Sequence, residues 1–154
     1  INYPISMQNS NGQTIVINSN NELENFIEDS IDDCDTSSGG IGGTATLANT
    51  ITNGTWYISY YFDDVDETSN YNGYNFTFNS NGTSIAIKNS TSINGTWSNY
   101  TDSGHEKLEL AFNGLILDEL DDDWRIIEFS SNFIKLKDVS GGNGGTDYLY
   151  FMKN

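Results

Sequence analysis

Two acidic runs are the residues of this chain whose types and spacing most readily suggest ligand chemistry. Residues 63–67 read DDVDE and residues 118–123 read DELDDD. Calcium takes about six to eight oxygen ligands, which loop carboxylates supply well. Neither run has the spaced acids or the turn glycine of an EF-hand loop, so ordinary solvated acids are the alternative. The candidate calcium ligands are Asp63, Asp64, Asp66, Asp121 and Asp123, and no other cofactor is indicated.

Residues that commonly perform catalysis are scarce. His105 is the only histidine and Cys34 the only cysteine. One histidine argues against a zinc site, and one cysteine excludes a disulfide within the chain. No serine or cysteine lies in a nucleophile-elbow motif, and among 22 acidic residues a neighbouring pair says little about glycoside hydrolysis. We therefore predict that the protein is not an enzyme, and we assign no catalytic residue.

The charge of the chain limits its partners. A net charge of −16 on 154 residues repels phosphate backbones, so we exclude nucleic acid and anionic membrane surfaces and expect cations or basic partners to be attracted. No apolar run is long enough to cross a bilayer. Because the sequence begins at Ile1 rather than methionine, we expect a mature or excised piece, with any export signal or lipid anchor upstream.

The first 35 residues predict a β-hairpin followed by a helix. Apolar residues alternate with polar ones on either side of Asn11-Gly12, a strong tight-turn signal. Ser19 and Glu22 have capping-box spacing, and an apolar stripe follows at helical spacing. A hairpin and one helix bury too little surface to fold alone. Residues 36–45 are rich in glycine and serine and predict a flexible linker, which separates an appendage (1–35) from a second domain (46–154).

The second domain predicts a barrel. From Gly54 onward, about eight short runs of alternating apolar and polar residues are separated by glycine and asparagine turns. Neighbouring runs usually pair, which gives an up-and-down meander. Eight antiparallel strands with one apolar face close most naturally into a barrel, because closure removes the exposed edges. The predicted fold class is mainly β, an eight-stranded antiparallel up-and-down barrel preceded by a hairpin and a helix.

The tetrapeptide Asn-Gly-Thr-Trp occurs twice, at residues 53–56 and 94–97. In both copies we expect glycine to relax the backbone at the start of a strand. Trp56 and Trp97 are then predicted to fold across an end of the barrel, with the intervening threonines on the opposite face. Both indoles are interpreted as plugs rather than catalysts.

The interior of the predicted barrel leaves two alternatives open. An eight-stranded barrel is just wide enough to be filled by side chains or to hold one small ligand. The predicted inward face is bulky and includes Ile58, Phe78, Ile85, Ile87, Leu108, Leu110, Ile126, Leu136 and Phe151. The candidate ligand-binding residues, in the interior or at the mouth, are Trp56, Tyr60, Tyr74, Phe76, Trp97, Phe112 and Trp124.

Residues 54–153 resemble the lipocalin-like domains of exported lipoproteins of Bacteroidetes, including flavobacteria. Gly54-Thr55-Trp56 resembles the Gly-x-Trp signature that opens the first strand of lipocalins. The first segment, residues 3–23, is similar to a piece that often precedes such domains. The other matching runs are Phe76-Thr77-Phe78, Gly95-Thr96-Trp97, Leu108-Glu109-Leu110, Trp124-Arg125-Ile126-Ile127 and Ile134-Lys135-Leu136.

The resemblance implies a calycin-type barrel in the periplasm or at the cell surface, with a lipidated cysteine upstream. In lipocalins a basic residue stacks on the Gly-x-Trp indole, so it also implies that Arg125 or Lys153 closes the barrel on Trp56. The helix that usually follows the barrel is absent, and a Thr-Asp-Tyr motif falls at residues 146–148 instead of mid-barrel. Transport of a lipophile is therefore not implied.

Two functions follow from the sequence. The first is non-enzymatic binding of a small apolar or amphipathic ligand in the barrel. The second is a cell-surface structural or interaction module that contacts protein or glycan, with a filled barrel and no ligand. The volume left inside the barrel distinguishes them.

Overall fold

A computed structural model describes residues 2–8, 14–23, 46–114, 116–139 and 145–154. The chain divides into two compact units, Ile1–Gly42 and Gly43–Asn154. The predicted linker at 36–45 and most of the predicted first helix lie outside the described residues. Among the helices within those ranges, none is both long and apolar enough to cross a membrane.

The first unit contains the predicted hairpin. Strands β1 (Ile5–Gln8) and β2 (Thr14–Ile17) pair antiparallel, while the turn at Asn11-Gly12 lies outside the described residues. Residues 20–23 are helical. The backbone N–H of Glu22 donates to Ser19 Oγ at 3.2 Å, and the Glu22 carboxylate accepts from the backbone N–H of Asn18 at 2.7 Å. This is the predicted helix start, which satisfies otherwise unpaired N–H groups.

The second unit is a closed β-barrel. Its helices are α1 (Leu47–Ile51) and the 3-10 helices η1 (Thr68–Tyr71) and η2 (Leu117–Leu120). Its strands are β3 (Trp56–Asp63), β4 (Val65–Asp66), β5 (Asn75–Phe78), β6 (Thr83–Lys88), β7 (Thr91–Asp102), β8 (His105–Phe112), β9 (Asp123–Phe129), β10 (Phe133–Val139) and β11 (Thr146–Lys153).

Strand order confirms the predicted topology. The order is β11-β10-β9-β8-β7-β6-β5-β3-β4, all neighbours are antiparallel, and β11 also pairs with β3. Eight strands, β3 and β5 to β11, therefore close an up-and-down barrel, and the two-residue β4 adds to β3 outside the ring. Closure satisfies the backbone groups that an open sheet would expose.

The side chains of β6 face the opposite way from the prediction. Ser84 and Ala86 point inward and are buried, whereas Ile87 is 43% exposed. In the register with β5, Ala86 lies opposite Phe76 and Ser84 lies opposite Phe78. The prediction of Ile85 and Ile87 as inward residues was wrong, because two phenyl rings leave room for small partners only.

The second Asn-Gly-Thr-Trp copy also differs from the prediction. Gly54 has φ +110° and precedes β3, as expected for a strand start. Gly95 instead lies inside β7, between Ser84 and Phe112 on the neighbouring strands. A Cβ atom there would meet Phe112 Cδ1 at 2.6 Å and Ser84 Oγ at 2.7 Å. Gly95 is required for close packing, not for a turn.

Candidate functional site

One end of the barrel is closed by Trp56 and α1. The indole is fully buried, and its Nε1–H donates to the carbonyl oxygen of Ile51 at 2.8 Å. Thr46 caps the helix by accepting from the backbone N–H of Asn49 at 3.2 Å. Leu47 and Ile51 are completely buried. This helix was not predicted, although a capping threonine before apolar residues four apart is a recognisable signal.

Lys153 provides the cation over Trp56. Its Nζ lies 5.7 Å from the indole ring, within the range of a cation–π contact. A Cβ atom on Gly54 would meet Lys153 Cε at 2.7 Å, so the first glycine also makes room for this side chain. Arg125 lies elsewhere, on β9, opposite Lys107 and Lys137 of the flanking strands.

The second repeated indole belongs to the same end of the barrel, beside the β5–β6 turn. Trp97 Nε1 donates to the carbonyl oxygen of Asn79 at 2.9 Å. Its ring meets Phe78 edge-to-face at 6.1 Å. The residue is 9% exposed, so Trp97 seals the edge of the core at this end of the barrel.

The opposite end is closed by η2. Leu117 and Leu120 are fully buried. Trp124 Nε1 donates to the carbonyl oxygen of Leu120 at 2.9 Å, and the hydroxyl of Tyr61 donates to that of Glu119 at 2.8 Å. The rings of Tyr61 and Tyr71 meet edge-to-face at 4.9 Å. Indole and phenol donors thus fix a short helix that covers this mouth.

Burial keeps the phenols of this mouth neutral. It raises the pKa of Tyr61 to about 12, with the charges of Asp63 and Glu119 adding to the rise. Burial also raises the pKa of Tyr71, and the neighbouring Tyr61 reinforces it. At physiological pH both groups are hydrogen-bond donors and cannot act as phenolate bases or nucleophiles.

Between the two ends, aromatic rings occupy the lumen. Phe76 contacts Phe112 at 5.7 Å and Phe151 at 5.5 Å, both edge-to-face. Phe78 contacts Phe151 at 5.8 Å. All four rings are at most 2% exposed. The predicted ligand-binding residues Phe76 and Phe112 therefore contact one another across the barrel axis.

Two other candidate ligand-binding residues, Tyr74 and Tyr60, are not among the fully buried rings of the lumen. Tyr74 is half-buried, with its ring 6.2 Å from Phe76 and Lys88 Nζ 4.7 Å above it. Tyr60 lies on the outer face, because a bulge shifts the register between β3 and β11: Ile58 pairs with Phe151, but Tyr60 pairs with Tyr150. The extra residue exchanges the two faces, so Tyr61 points inward instead of Tyr60.

The bulge exposes a surface that the sequence analysis missed. Large apolar side chains share the outer face of β3, β11 and β10, in matched cross-strand positions. Tyr60 and Tyr150 lie 5.2 Å apart between ring centroids, and Phe62 and Tyr148 lie 6.5 Å apart. We name this surface the outer aromatic face; it consists of Tyr57, Tyr60, Phe62, Phe133, Tyr148, Tyr150 and Met152.

Several of the predicted calcium ligands are engaged within the protein. An oxygen of Asp66 accepts from the backbone N–H of Thr68 at 3.0 Å, and one of Asp121 accepts from that of Phe112 at 2.6 Å. The Asp123 carboxylate pairs with Lys107 Nζ at 2.5 Å. Asp63 and Asp64 are exposed at the β3–β4 turn. These acids shape turns and ion pairs at separate places.

A different acidic group is close enough to share an ion. Within the described ranges, Asp122, Asp123 and Asp138 place one carboxylate oxygen each within 4.8 Å of the others. Burial raises the pKa of Asp122, while the hydrogen bond from Lys107 lowers the pKa of Asp123. A lysine already neutralises part of this cluster, so its geometry fits an internal ion-pair network.

The single histidine lies in a shallow depression of about 190 Å³ on the outer surface. The lining mixes both charges: Lys107 and Arg125 lie beside Asp102, Asp123 and Asp138. Among the described serines, Ser103 lines this depression. Its hydroxyl donates to the carboxylate of Asp102 at 3.3 Å.

Comparisons with known proteins support the fold alone. The sequence matches no protein-family model and gives no significant match to a curated protein. The chain is similar to a crystal structure of a DUF4847 family protein from Bacteroides vulgatus, with a TM-score of 0.50 and 16% sequence identity. The likeness covers 71% of this chain and 98% of that chain. The shared architecture is consistent with a calycin-like barrel.

Proposed function

We propose that this protein is a non-enzymatic interaction module, a lipocalin-like barrel of an exported bacterial protein that contacts its partner through its outer surface. The observation that carries the proposal is the occupied lumen. Phe76, Phe112 and Phe151 contact one another inside the barrel, where a carrier would hold its ligand. Small-molecule pockets usually enclose about 300–1,000 Å³.

Closure of both ends supports the same proposal. Leu47 and Ile51 of α1 are buried at one end, and Leu117 and Leu120 of η2 are buried at the other. A ligand would have to displace one of these helices and break an indole hydrogen bond, from Trp56 or from Trp124. The free energy of such opening would be subtracted from the affinity.

An exported location is part of the proposal. It rests on the resemblance of residues 54–153 to lipocalin-like domains of Bacteroidetes lipoproteins, with the lipid anchor upstream. The absence of catalytic activity is proposed because burial keeps the inward phenols of Tyr61 and Tyr71 protonated, so they do not act as general bases at physiological pH.

A lumen-binding experiment tests the proposal. Benzene binds engineered apolar cavities of about 150 Å³ in protein cores, so it serves as the probe. We expect benzene to leave the melting temperature of the wild-type protein unchanged. Phe112→Ala, which removes a central ring, is the positive control: it should lose about 3–5 kcal/mol of stability and recover part of it in benzene.

Native mass spectrometry completes the test. Protein purified from its own host should have the mass of the polypeptide and its covalent modifications alone. Stabilisation of the wild type by benzene, or a stoichiometric small molecule released only on unfolding, would contradict the filled-barrel proposal. Either result would instead favour the other function, binding of a small apolar or amphipathic ligand in the barrel.

A further inference from the structure

The outer aromatic face places seven large side chains where a solvated barrel usually has polar ones. Tyr57 is 38% exposed and Met152 is 36% exposed, and the other five are half-buried. Antiparallel barrels of soluble proteins normally alternate apolar-in with polar-out. A contiguous apolar surface of this kind marks an interaction site.

The registers make the surface continuous across three strands. Tyr57 lies opposite Met152, which lies opposite Phe133 on the next strand. Tyr60 lies opposite Tyr150, and Phe62 lies opposite Tyr148. Adjacent rings of Tyr148 and Tyr150 meet edge-to-face at 6.1 Å. The rings therefore form one continuous platform of aromatic faces that also carries phenol groups.

Charged residues of both signs border this platform. On the β10 side, Lys135 and Lys137 lie opposite Tyr150 and Tyr148. Asp66 on β4 lies opposite Phe62 and is exposed. Glu128 on β9 lies opposite Lys135, the cross-strand neighbour of Tyr150. Aromatic faces flanked by carboxylates attract cations, because the negative face of each ring and the acids act in the same direction.

The chain itself shows a cation bound in this setting. Lys135 Nζ lies 5.2 Å from the ring centroid of Phe133 and 5.8 Å from that of Tyr150, and it pairs with Glu128. The ammonium group of Lys135 thus makes cation–π contacts with two rings of this surface and an ion pair with the neighbouring Glu128. A second cationic side chain could use Tyr60, Phe62 and Asp66 in the same way.

Charge decides between the classes of occupant. A second copy of this chain would bring its own charge of −16 against the first, which opposes self-association. An anionic glycan meets the same repulsion. A basic polypeptide is attracted over long range and then held by cation–π contacts at short range.

We propose that the outer aromatic face docks a lysine- and arginine-rich segment of a partner protein. The inference rests on the proposed function, since it names the partner of the interaction module. Arginine and lysine side chains of the partner would lie across Tyr60 and Phe62 on β3, which β11 separates from Lys135 and Lys137, with Asp66 accepting from their N–H groups.

The experiment titrates the full chain with a synthetic peptide of about 12 residues containing equal numbers of Arg, Lys and Gly, at about 150 mM salt to screen unspecific attraction. Binding is followed by backbone amide chemical shifts and by calorimetry. A peptide with glutamate in place of the basic residues is the probe control. We expect shift changes concentrated on β3, β10 and β11.

Matched variants locate the surface. Tyr60→Thr with Tyr150→Thr keeps good strand residues and should weaken peptide binding about tenfold. Tyr57→Thr is a milder second variant that should weaken binding about threefold. Tyr100→Thr is the control, because Tyr100 has the same 38% exposure as Tyr57 but lies on β7. It should bind like the wild type.

Three results would overturn the inference. The first is that the Tyr60→Thr, Tyr150→Thr double variant and Tyr100→Thr bind the basic peptide with equal affinity. The second is that the wild type forms a concentration-dependent dimer and the double variant does not. The third is that a neutral oligosaccharide binds saturably at the same face. The peptide titration is independent of the benzene experiment. A ligand in the lumen would refute the proposed function, whereas peptide binding away from the face refutes only the partner assigned here.

Discussion

At the scale of single residues, the two glycines of the repeated tetrapeptide have different tasks. Gly54 adopts φ +110° and leaves space for Lys153. Gly95 allows the Phe112 ring into the lumen, and the carbonyl oxygen of Ala111 would lie 2.5 Å from an added Cβ. One sequence motif therefore serves backbone geometry in one copy and interior volume in the other.

Gly95→Ala tests this difference. The new methyl group meets a backbone oxygen and a packed ring, so we expect a loss of about 2–3 kcal/mol in the free energy of unfolding, measured by urea denaturation. Gly104→Ala is the matched control: its φ is +86°, but a Cβ there meets nothing within 4 Å. Strain alone should cost it about 1 kcal/mol. Equal losses would show that lumen packing is not the reason for Gly95.

At the scale of elements, short helices close the two ends of the barrel, which its strands leave open. The β8–β9 connection folds back as η2 and buries Leu117 and Leu120. The α1 helix, just before β3, closes the other end. Each carries a carbonyl oxygen that accepts from a core indole, so the ends of the barrel and its core form one hydrogen-bonded unit.

Tyr61→Phe tests the attachment of η2. Removal of the hydroxyl leaves the Glu119 carbonyl oxygen without this donor, and we expect a loss of about 1 kcal/mol. Amide hydrogen exchange should accelerate in residues 117–120 before it accelerates in the strands. Tyr100→Phe, which removes an exposed hydroxyl bonded to Asp123 at 3.2 Å, should change stability by less than about 0.5 kcal/mol. Unchanged exchange in η2 would contradict its attachment through Tyr61.

At the scale of the whole molecule, the net charge of −16 means that many carboxylates have other negative charges nearby, and these favour the protonated form. Burial raises the pKa of Asp147 above its ordinary value of 3.8, and the charges of Asp63 and Asp138 raise it further. The carboxyl group of Asp147 therefore binds a proton more tightly in the folded protein than in the unfolded chain. Protonation of Asp147 stabilises the fold fully below pH 3.8, and this stabilisation is lost as the pH rises through the raised pKa.

Asp147→Asn should therefore raise the melting temperature at pH 7, by about 2 °C, and the gain should shrink as the pH approaches 4. Asp66→Asn is the control of opposite sign. Its pKa is lowered by the hydrogen bonds from Thr68, so that substitution should lower the melting temperature at pH 7. Differential scanning calorimetry between pH 4 and pH 7 distinguishes the two. A pH-independent gain for Asp147→Asn would contradict the charge explanation.

The sequence by itself determined the architecture of the barrel. Alternation of apolar and polar residues has a period of two, and turn glycines mark where each run ends. Both signals are local, and the alternation is seen in β8 and β10 of the structure. The capping of the first helix by Ser19 and Glu22 is equally local. The same patterns identified Trp56 as a plug, because its burial follows from the first strand.

Only the tertiary structure decided which face β6 and the second half of β3 present to the lumen. The bulge in β3 turns Tyr60 outward and Tyr61 inward, and Phe76 opposite Ala86 reverses the expected orientation of β6. It also selected Lys153 for the contact with Trp56. These outcomes depend on which strands meet and in which register. Side-chain volumes across the lumen must fit together in three dimensions, and no run of neighbouring residues contains that information.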